Sequence, residues 1–334
     1  MKHTIFITGG CGFIGSALIR LLIKFTEYQI INIDNLTYAG NLLALKEVAD
    51  NQKYNFELVD ICDKNKINQL FDKYQPDGLI HLAAESHVDR SIDNSQVFIQ
   101  TNIIGTYNLL ENALQYIIKY KKPEFKFVHV STDEVFGQLN NHDGYFDENS
   151  KYDPHSPYSA SKASSDLLVK AWHHTYKLPA IITNCSNNYG PYQFPEKLIP
   201  LMINNAIENK PLPIYGNGLN VRDWIYVDDH VRALLQIYQY GTIGDSYCIG
   251  SNNEYTNLQI VKKICNILDE LKPLSNSNKY SSLINFVKDR PGHDYRYAID
   301  ATKIKNNLNW YSVETFDSGI KKTVEWFLNN RHFV

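Results

Sequence analysis

The sequence predicts an α/β protein in which a doubly wound parallel sheet carries helices on both faces, with a smaller mixed α/β domain beside it. In the first half, short β-rich apolar runs alternate with longer segments of helical periodicity. The length of 334 residues corresponds to about two domains. Apolar residues make up 43% and charged residues 21%, which are globular proportions and exclude a disordered or collagen-like chain.

The first half supplies the strands and helices of the predicted sheet. Each predicted strand is a short apolar run, and each predicted helix has an apolar stripe at the helical period. This alternation is typical of parallel strands joined by right-handed crossovers. The predicted strands are residues 4–8, 29–34, 54–60, 78–82, 125–131 and 180–185. The predicted helices are residues 13–25, 64–74, 96–120 and 157–176.

The sequence pattern changes after about Asn187, where loops with Pro and Gly become frequent. We expect a first domain over residues 1–187 and a second over 188–334, with 223–250 returning to the first. Within that returning segment, residues 223–227 and 246–249 are predicted to join the sheet as strands. Further helices are predicted near residues 196–208, 228–240, 257–271 and 313–328.

A glycine-rich turn follows the first predicted strand and opens the first predicted helix. Gly9, Gly12 and Gly15 have GxxGxxG spacing, which lets backbone N–H groups and the helix N-terminus approach a pyrophosphate. Asp34 ends the second strand 19 residues after Gly15, where a carboxylate accepts hydrogen bonds from a ribose. An acid there disfavours the extra phosphate of NADP, so a Rossmann-type site for NAD is predicted. Asp60 ends the third strand and is either an adenine contact or a plain strand-end acid.

One helical tyrosine is followed by a lysine at the position that shares its helix face. Of the 23 tyrosines, only Tyr158 has a lysine four residues later, Lys162. An ammonium beside a phenol favours the phenolate and lowers the phenol pKa from about 10. Tyr158 is therefore a candidate base for an alcohol that is being oxidised. Without the glycine turn, an exposed helical pair would explain the spacing equally well.

The glycine turn and the Tyr-x-x-x-Lys motif, in a chain of this length, resemble the extended short-chain dehydrogenase/reductase family. Within it the sequence is most similar to the nucleotide-sugar 4,6-dehydratases of the dTDP-glucose type. Two positions depart from the usual pattern, since Cys11 stands where Ala is usual and Phe136 where Tyr is common. Neither change removes an expected catalytic group. The similar blocks are residues 34–41, 81–91, 131–137, 187–198, 213–216, 222–224 and 289–294.

The block after the fifth strand separates dehydratases from the related 4-epimerases. It contains Asp133 and Glu134, where the epimerases are expected to have small or hydroxyl residues. Oxidation at the sugar C4 acidifies the C5 proton, and the C6 hydroxyl needs an acid in order to leave as water. The resemblance implies that Glu134 is the C5 base, Asp133 the C6 acid, and Thr132 a partner of Tyr158 at the C4 oxygen. Taken alone, two neighbouring acids after a strand indicate only a solvated loop.

The resemblance also implies an activity and a set of contacts. NAD is expected to stay tightly bound and to be regenerated in each turnover, while NDP-glucose becomes the 4-keto-6-deoxy sugar for deoxysugar synthesis. Lys197, Arg222 and Arg290 are expected to hold the diphosphate. The implied cofactor residues are Gly9, Gly12, Phe13, Ile14, Gly15, Asp34, Asn35, Leu36, Thr37, Asp60, Ile61, Leu82, Ala83, Ala84, Thr101, Tyr158, Lys162 and Asn188. The implied substrate residues are Ser86, Thr132, Asn187, Lys197, Leu198, Pro213, Tyr215, Arg222, Asn257, Arg290 and His293.

The net charge and the cysteine content limit which partners and which cellular location are expected. A net charge of −3 and a pI near 6.4 argue against nucleic acid or anionic lipid as a partner. The five cysteines contain no CxxC pair, no residues have metal-ligand spacing, and no stretch of 18 apolar residues exists. The N-terminus shows no leader pattern, so a cytoplasmic protein is expected. The long helices 96–120 and 157–176 are expected to form a homodimer interface.

Three alternatives stay open from the sequence. A nucleotide-sugar 4-epimerase would share the cofactor site with Tyr158 and Lys162, but it has no use for the acidic pair. A non-catalytic dinucleotide sensor would need neither the pair nor the Tyr–Lys motif. The nucleotide base is also undecided, because dTDP-glucose and UDP-glucose dehydratases share the catalytic blocks.

Overall fold

The computed structural model describes residues 3–140, 143–275 and 278–333. Its centre is a seven-stranded sheet in which every neighbouring pair is parallel, in the order β3-β2-β1-β4-β5-β6-β10. This order places the carboxyl ends of β1 and β4 side by side at the point where the winding reverses. The strands are β1 (Thr4–Thr8), β2 (Gln29–Asp34), β3 (Tyr54–Leu58), β4 (Gly78–His81), β5 (Lys126–Thr132), β6 (Ala180–Cys185) and β10 (Ser246–Ile249).

Helices cover both faces of this sheet and bury it. On β1, Ile5 and Ile7 pack into one core and Phe6 into the other, and none of the three is exposed. A parallel strand buried on both faces reads as a continuous apolar run, which is why the pattern predicted it. One face carries α1 (Phe13–Phe25) and α8 (Val227–Tyr240). The other carries α2 (Lys64–Tyr74), α5 (Thr106–Tyr120) and α6 (Pro157–Tyr176).

A smaller set of elements forms a third core beside the sheet. In a three-stranded sheet, β9 (Val221–Tyr226) lies between β7 (Asn187–Tyr189) and β11 (Glu254–Thr256). In a two-stranded sheet, β8 (Leu212–Tyr215) pairs with β12 (Ile284–Val287). The accompanying helices are α7 (Leu198–Ile207), α9 (Asn257–Leu271), α10 (Thr302–Leu308) and α11 (Phe316–Asn329).

The prediction for the returning segment was right for one strand and wrong for the other. Residues 246–249 form the edge strand beside β6, as expected. Residues 223–227 do not join that sheet, because β9 pairs with β7 and β11 instead. Trp224 and Tyr226 pack into the third core while Ile225 packs into the first, so β9 lies between the two. Residues 212–215 form β8, for which no strand was predicted because so short a segment gives no clear pattern.

The predicted single helix over residues 96–120 was also wrong in detail. The chain forms α3 (Val88–Asp93), α4 (Ser95–Phe98) and a π-helical segment, Ile99–Gly105, before α5. The widened turn directs Asn102 into the core, where its amide accepts from the Glu85 N–H at 2.9 Å. The same amide donates to the Ser161 hydroxyl at 2.8 Å. Asn102 therefore ties the loop after β4 to α6.

Candidate active site

The glycine turn between β1 and α1 brings backbone very close to backbone. A Cβ at Gly15 would lie 2.2 Å from the Gly9 carbonyl oxygen, and a Cβ at Gly9 would lie 2.6 Å from the Ala83 nitrogen. Gly9 has a φ of +70°, which favours glycine. Gly12 provides no side-chain cap for α1, so its first N–H groups face outward as an anion site. The turn fits the pyrophosphate of a dinucleotide.

Two carboxylates follow at the ends of the neighbouring strands. Asp34 ends β2, where its side chain accepts from the N–H groups of Cys11 at 2.9 Å and Leu36 at 2.8 Å. Burial raises the pKa of Asp34, and these two hydrogen bonds oppose the rise. Asp60 accepts from the Asn35 amide at 3.2 Å. Both acids remain able to accept further hydrogen bonds, which suits a ribose and an adenine.

A cleft runs from the glycine turn to the end of β5. Of the predicted cofactor residues, Leu36 is absent from its lining, because its side chain packs against the first core. The contact roles stay predictions. The predicted cofactor residues that line the cleft are Gly9, Gly12, Phe13, Ile14, Gly15, Asp34, Asn35, Thr37, Asp60, Ile61, Leu82, Ala83, Ala84, Thr101, Tyr158, Lys162 and Asn188.

Tyr158 and Lys162 enter this cleft from the first turns of α6. The helix begins with Pro157 after Ser156, whose hydroxyl accepts from the Ser159 N–H at 3.0 Å, so the start of the helix is fixed. Tyr158 and Lys162 are only 8% and 4% exposed. The Lys162 ammonium donates to the Val130 carbonyl of β5 at 2.9 Å. The two groups are therefore held in place by the sheet and by the helix cap.

The sequence-based expectation that Lys162 lowers the pKa of Tyr158 was wrong for this structure. Burial raises the pKa of Tyr158 well above its usual value, and nearby Glu134 acts in the same direction. A hydrogen bond with Thr132 opposes the rise. Burial also lowers the pKa of Lys162. Both pKa shifts have the same cause, since a site of low dielectric constant disfavours charge on either group. The prediction failed because residue spacing along a helix does not show whether the side chains are buried.

Asp133 and Glu134 sit at the end of β5 in different surroundings. Asp133 is 1% exposed, and one of its carboxyl oxygens is buried without a hydrogen-bond partner among the described residues. Burial raises the pKa of Asp133 well above its usual value, and the charges of Glu134 and Asp223 add to the rise. These surroundings favour the protonated form of Asp133, as an acid catalyst requires.

Glu134 lines the cleft and is opposed by cations. Burial raises its pKa, while Arg290, Arg222 and Lys197, in that order, act to lower it. Two adjacent carboxyls whose environments push their pKa values apart can serve as one acid and one base. Glu134 is the carboxyl of the two that is better placed to be a base.

Two of these cations, Lys197 and Arg290, contact residues that follow β4. The Lys197 ammonium donates to the Ser86 carbonyl at 2.7 Å. Arg290 pairs with Asp89 at 3.1 Å, and the hydroxyl of Tyr215 donates to the same carboxylate at 3.1 Å. These contacts connect the segment that follows β4 with the second set of elements. Lys197 lines the cleft, and the charges of Arg222 and Arg290 also act on Glu134 from outside its lining.

The predicted substrate residues divide into two groups. Ser86, Thr132, Asn187 and Lys197 line the cleft. The others lie outside its lining: they are Leu198, Pro213, Tyr215, Arg222, Asn257, Arg290 and His293. Among these, Arg222 and Arg290 act on the pKa of Glu134 and of His293. Leu198 begins α7 and packs against the third core. The substrate roles stay predictions.

Several cleft residues were not predicted. Cys185, Glu85 and Glu196 line the cleft, and Glu196 binds the Arg90 guanidinium at 2.9 Å. Burial raises the pKa of Cys185 to about 12, so it is a neutral thiol. Cys185 could have been predicted from its position at the carboxyl end of β6, because binding sites in such sheets lie at the carboxyl ends of the strands. Glu85 and Glu196 lie in the blocks 81–91 and 187–198 that resemble the dehydratases, but no motif in the sequence indicated a role for either residue.

Residues 3–140, 143–275 and 278–333 contain no group of three His, Cys, Asp or Glu side chains arranged to hold a metal ion. No helix in these parts is both long enough and apolar enough to cross a membrane.

Comparison with known proteins places the chain among sugar-nucleotide enzymes. The family model described as GDP-mannose 4,6 dehydratase matches residues 6–323. A dTDP-glucose 4,6-dehydratase from Neisseria meningitidis is 56% identical over 332 residues, 98% of this chain and 94% of that protein. The crystal structure of a dTDP-glucose 4,6-dehydratase from Streptomyces venezuelae, with NAD and TYD bound, is 40% identical with a TM-score of 0.91, covering 99% and 98% of the two chains. A UDP-glucose 4-epimerase structure from Thermotoga maritima reaches 28% identity and a TM-score of 0.86 over 98% and 99%.

Proposed function

The chain belongs to the GDP-mannose 4,6-dehydratase family, and from that premise we propose that it removes water from dTDP-glucose to give the 4-keto-6-deoxy sugar. The observation that carries this proposal is the acidic pair at the end of β5. Burial favours the protonated form of Asp133, cations act on Glu134, and the charges of both acids act on Tyr158. The relative from Neisseria meningitidis, at 56% identity, supports dTDP-glucose over UDP-glucose.

The residues of the cleft fit NAD as the resident cofactor. The turn at Gly9, Gly12 and Gly15 leaves room only for backbone, and α1 offers its N-terminus to a pyrophosphate. Asp34 is placed to accept from a ribose and to repel the additional phosphate of NADP. These residues would hold NAD, which when bound would supply a hydride acceptor for the sugar C4, a hydride donor for C6 and the positive charge of the oxidised ring.

Tyr158 removes the proton of the C4 hydroxyl as that carbon is oxidised. Because burial raises its pKa, the phenolate needs compensating positive charge. Lys162, one turn later on the same helix face, is the cation assigned to supply part of it. Thr132 hydrogen-bonds with Tyr158 and is placed to orient the C4 oxygen. Held by the Val130 carbonyl, Lys162 cannot move away during the reaction.

Glu134 and Asp133 carry out the elimination. The new C4 ketone acidifies the C5 proton, which the Glu134 carboxylate removes. Asp133 gives its proton to the C6 hydroxyl, which leaves as water. The resulting ene is then reduced at C6 and protonated at C5 by Glu134, which becomes a carboxylate again. Asp133 has given up its proton and Tyr158 has gained the one from the C4 hydroxyl, so Tyr158 releases a proton and Asp133 takes one up before the next turnover.

The cations around Glu134 are suited to the diphosphate of the substrate. Lys197 lines the cleft, while Arg290 and Arg222 lie beyond its lining but act on the pKa of Glu134. Arg290 is paired with Asp89 at 3.1 Å. Arginine makes bidentate contacts with phosphate, and this explains how a chain of net charge −3 can bind an anionic substrate.

A substrate comparison tests this function. With dTDP-glucose and no added reductant, the purified protein is expected to form a 4-keto sugar that absorbs in alkali. Its kcat/KM for dTDP-glucose is expected to exceed that for UDP-glucose by at least about tenfold, because the thymine methyl and the 2′-hydroxyl change several contacts. Formation of an epimerised sugar without a ketone would instead favour the 4-epimerase.

We also propose that two chains associate through α5 and α6. Apolar side chains are exposed on these helices and on the π-helical segment: Ile104 is 39% exposed, Tyr107 36% and Leu167 56%. Exposed apolar patches of this kind mark interaction surfaces. The five cysteines are free thiols, which suits a reducing cytoplasm, and that location also stays a proposal.

Leu167→Glu is expected to convert a dimer to a monomer, because a charge on each copy would be desolvated in the interface. Sedimentation equilibrium of both proteins measures the change in mass. Leu271→Glu is the matched control, since Leu271 is 41% exposed at the end of α9 and lies outside the proposed interface. A parent protein that sediments as a single chain would contradict the proposal.

A further inference from the structure

A buried acid on α6 has no part in the steps described above. Asp166 follows Lys162 by four residues, so Tyr158, Lys162 and Asp166 lie on one face of the helix at successive turns. Its side chain is 0% exposed. A fully buried carboxylate is costly unless hydrogen bonds and an opposite charge compensate it.

Two side chains from outside the helix donate hydrogen bonds to the Asp166 carboxylate, and a third lies close to it. The Tyr152 hydroxyl donates to one oxygen at 3.0 Å, and the Asn184 amide donates to the same oxygen at 3.2 Å. His129 of β5 approaches the other oxygen at 3.1 Å. The Asn184 amide also donates to the Thr132 carbonyl at 3.1 Å. The carboxylate is thereby linked to the end of β5, where the acidic pair begins.

The neighbouring titratable groups are neutral, apart from Lys162. Burial lowers the pKa of His129 to about 4, and the Lys162 charge acts in the same direction. Burial lowers the pKa of His81 on β4 well below its usual value and raises that of Cys185 on β6 to about 12. Among the described residues that influence the pKa of Lys162, Asp166 is the first cause that opposes the effect of burial.

We propose that Asp166 is a positioning residue for the reaction, a fixed counter-charge that keeps the buried Lys162 an ammonium and orients it toward Tyr158. This inference rests on the proposed function, since it assigns a source for the charge that the phenolate requires. The carboxylate is positioned by hydrogen bonds from Asn184 of β6 and from Tyr152 in the segment before α6. Its effect reaches the substrate only through Lys162.

The proposal is tested by a substitution that removes the charge of Asp166 but keeps the shape of its side chain. In Asp166→Asn, Lys162 loses its opposite charge and deprotonates more readily. The alkaline limb of the kcat–pH profile is therefore expected to move down by about one to two pH units. Tyr152→Phe breaks a hydrogen bond to the same carboxylate but keeps its charge, so its alkaline limb is expected to stay in place. Asp50→Asn, at an exposed acid far along the chain, controls for the loss of one negative charge.

A profile for folded Asp166→Asn that superimposes on that of the parent would overturn the proposal, and so would an equal shift in Tyr152→Phe. A purely structural role predicts lower activity at all pH values without movement of the limb. The pH profile separates these two roles, which activity at a single pH does not.

A thermal unfolding cycle gives an answer even where Asp166→Asn is too unstable to assay. Removing one partner of a buried pair leaves an uncompensated charge, whereas removing both does not. Lys162→Met combined with Asp166→Asn is therefore expected to unfold at a higher temperature than Asp166→Asn alone. Equal or lower stability of the double variant would overturn the charge pairing. This measurement needs no substrate, so it is independent of whether the parent proves to be a dehydratase.

Discussion

Glu134→Gln is expected to stop water elimination while leaving the first oxidation intact. The amide keeps the size of the side chain but cannot take the C5 proton, and a positioned general base contributes about 10²–10⁴-fold to a rate. We expect kcat for the 4-keto-6-deoxy product to fall by about that factor. On addition of dTDP-glucose, the reduced cofactor should still form on the enzyme, because Tyr158 and Lys162 are unchanged.

The measurement compares product formation with cofactor absorbance in the same sample. Glu124→Gln is the control for the substitution itself, since Glu124 is exposed and lies in the loop before β5. If Glu134→Gln formed product at the parental rate, the assignment of the base would be wrong. If it lost cofactor reduction as well, Glu134 would be acting in binding or in the C4 step.

The sequence was sufficient to predict those features that depend only on the spacing of residues along one strand or helix. The bounds of β1, β2, β6, α1 and α6 were predicted correctly, because each has a clear apolar period. The glycine turn and Asp34 were predicted as one site, since both lie next to short strands whose carboxyl ends are adjacent in a parallel sheet. The structure brings these residues into one cleft.

What the sequence could not provide depends on tertiary neighbours. The pairing of β9 is decided by β7 and β11, which are only three residues long and have no pattern of their own. The π-helical segment depends on Asn102 reaching Glu85 and Ser161, which are distant in the sequence. Nothing in a helical spacing of four shows that Tyr158 and Lys162 are both buried.

The second large effect is expected from a substitution at the buried Tyr158. Tyr158→Phe is expected to prevent oxidation at C4, so kcat falls by about 10²–10⁴-fold and the reduced cofactor does not form on substrate addition. This result differs from that expected for Glu134→Gln, because loss of the first base blocks every later step. Absorbance of the cofactor in a rapid-mixing experiment measures the difference. Reduction of the cofactor at the parental rate in Tyr158→Phe would assign the first base to another group.

The same burial predicts how the parental rate depends on pH. Because burial raises the pKa of Tyr158, its base form is scarce at neutral pH and increases as pH rises, so the rate of cofactor reduction should climb. Burial lowers the pKa of Lys162, so the supporting ammonium is lost at the alkaline end and the rate should fall again. A bell-shaped profile in single-turnover measurements is therefore expected. A rate that does not vary with pH would show that neither group changes its charge in the reaction, and it would contradict both the role of Tyr158 and the need for a counter-charge at Asp166.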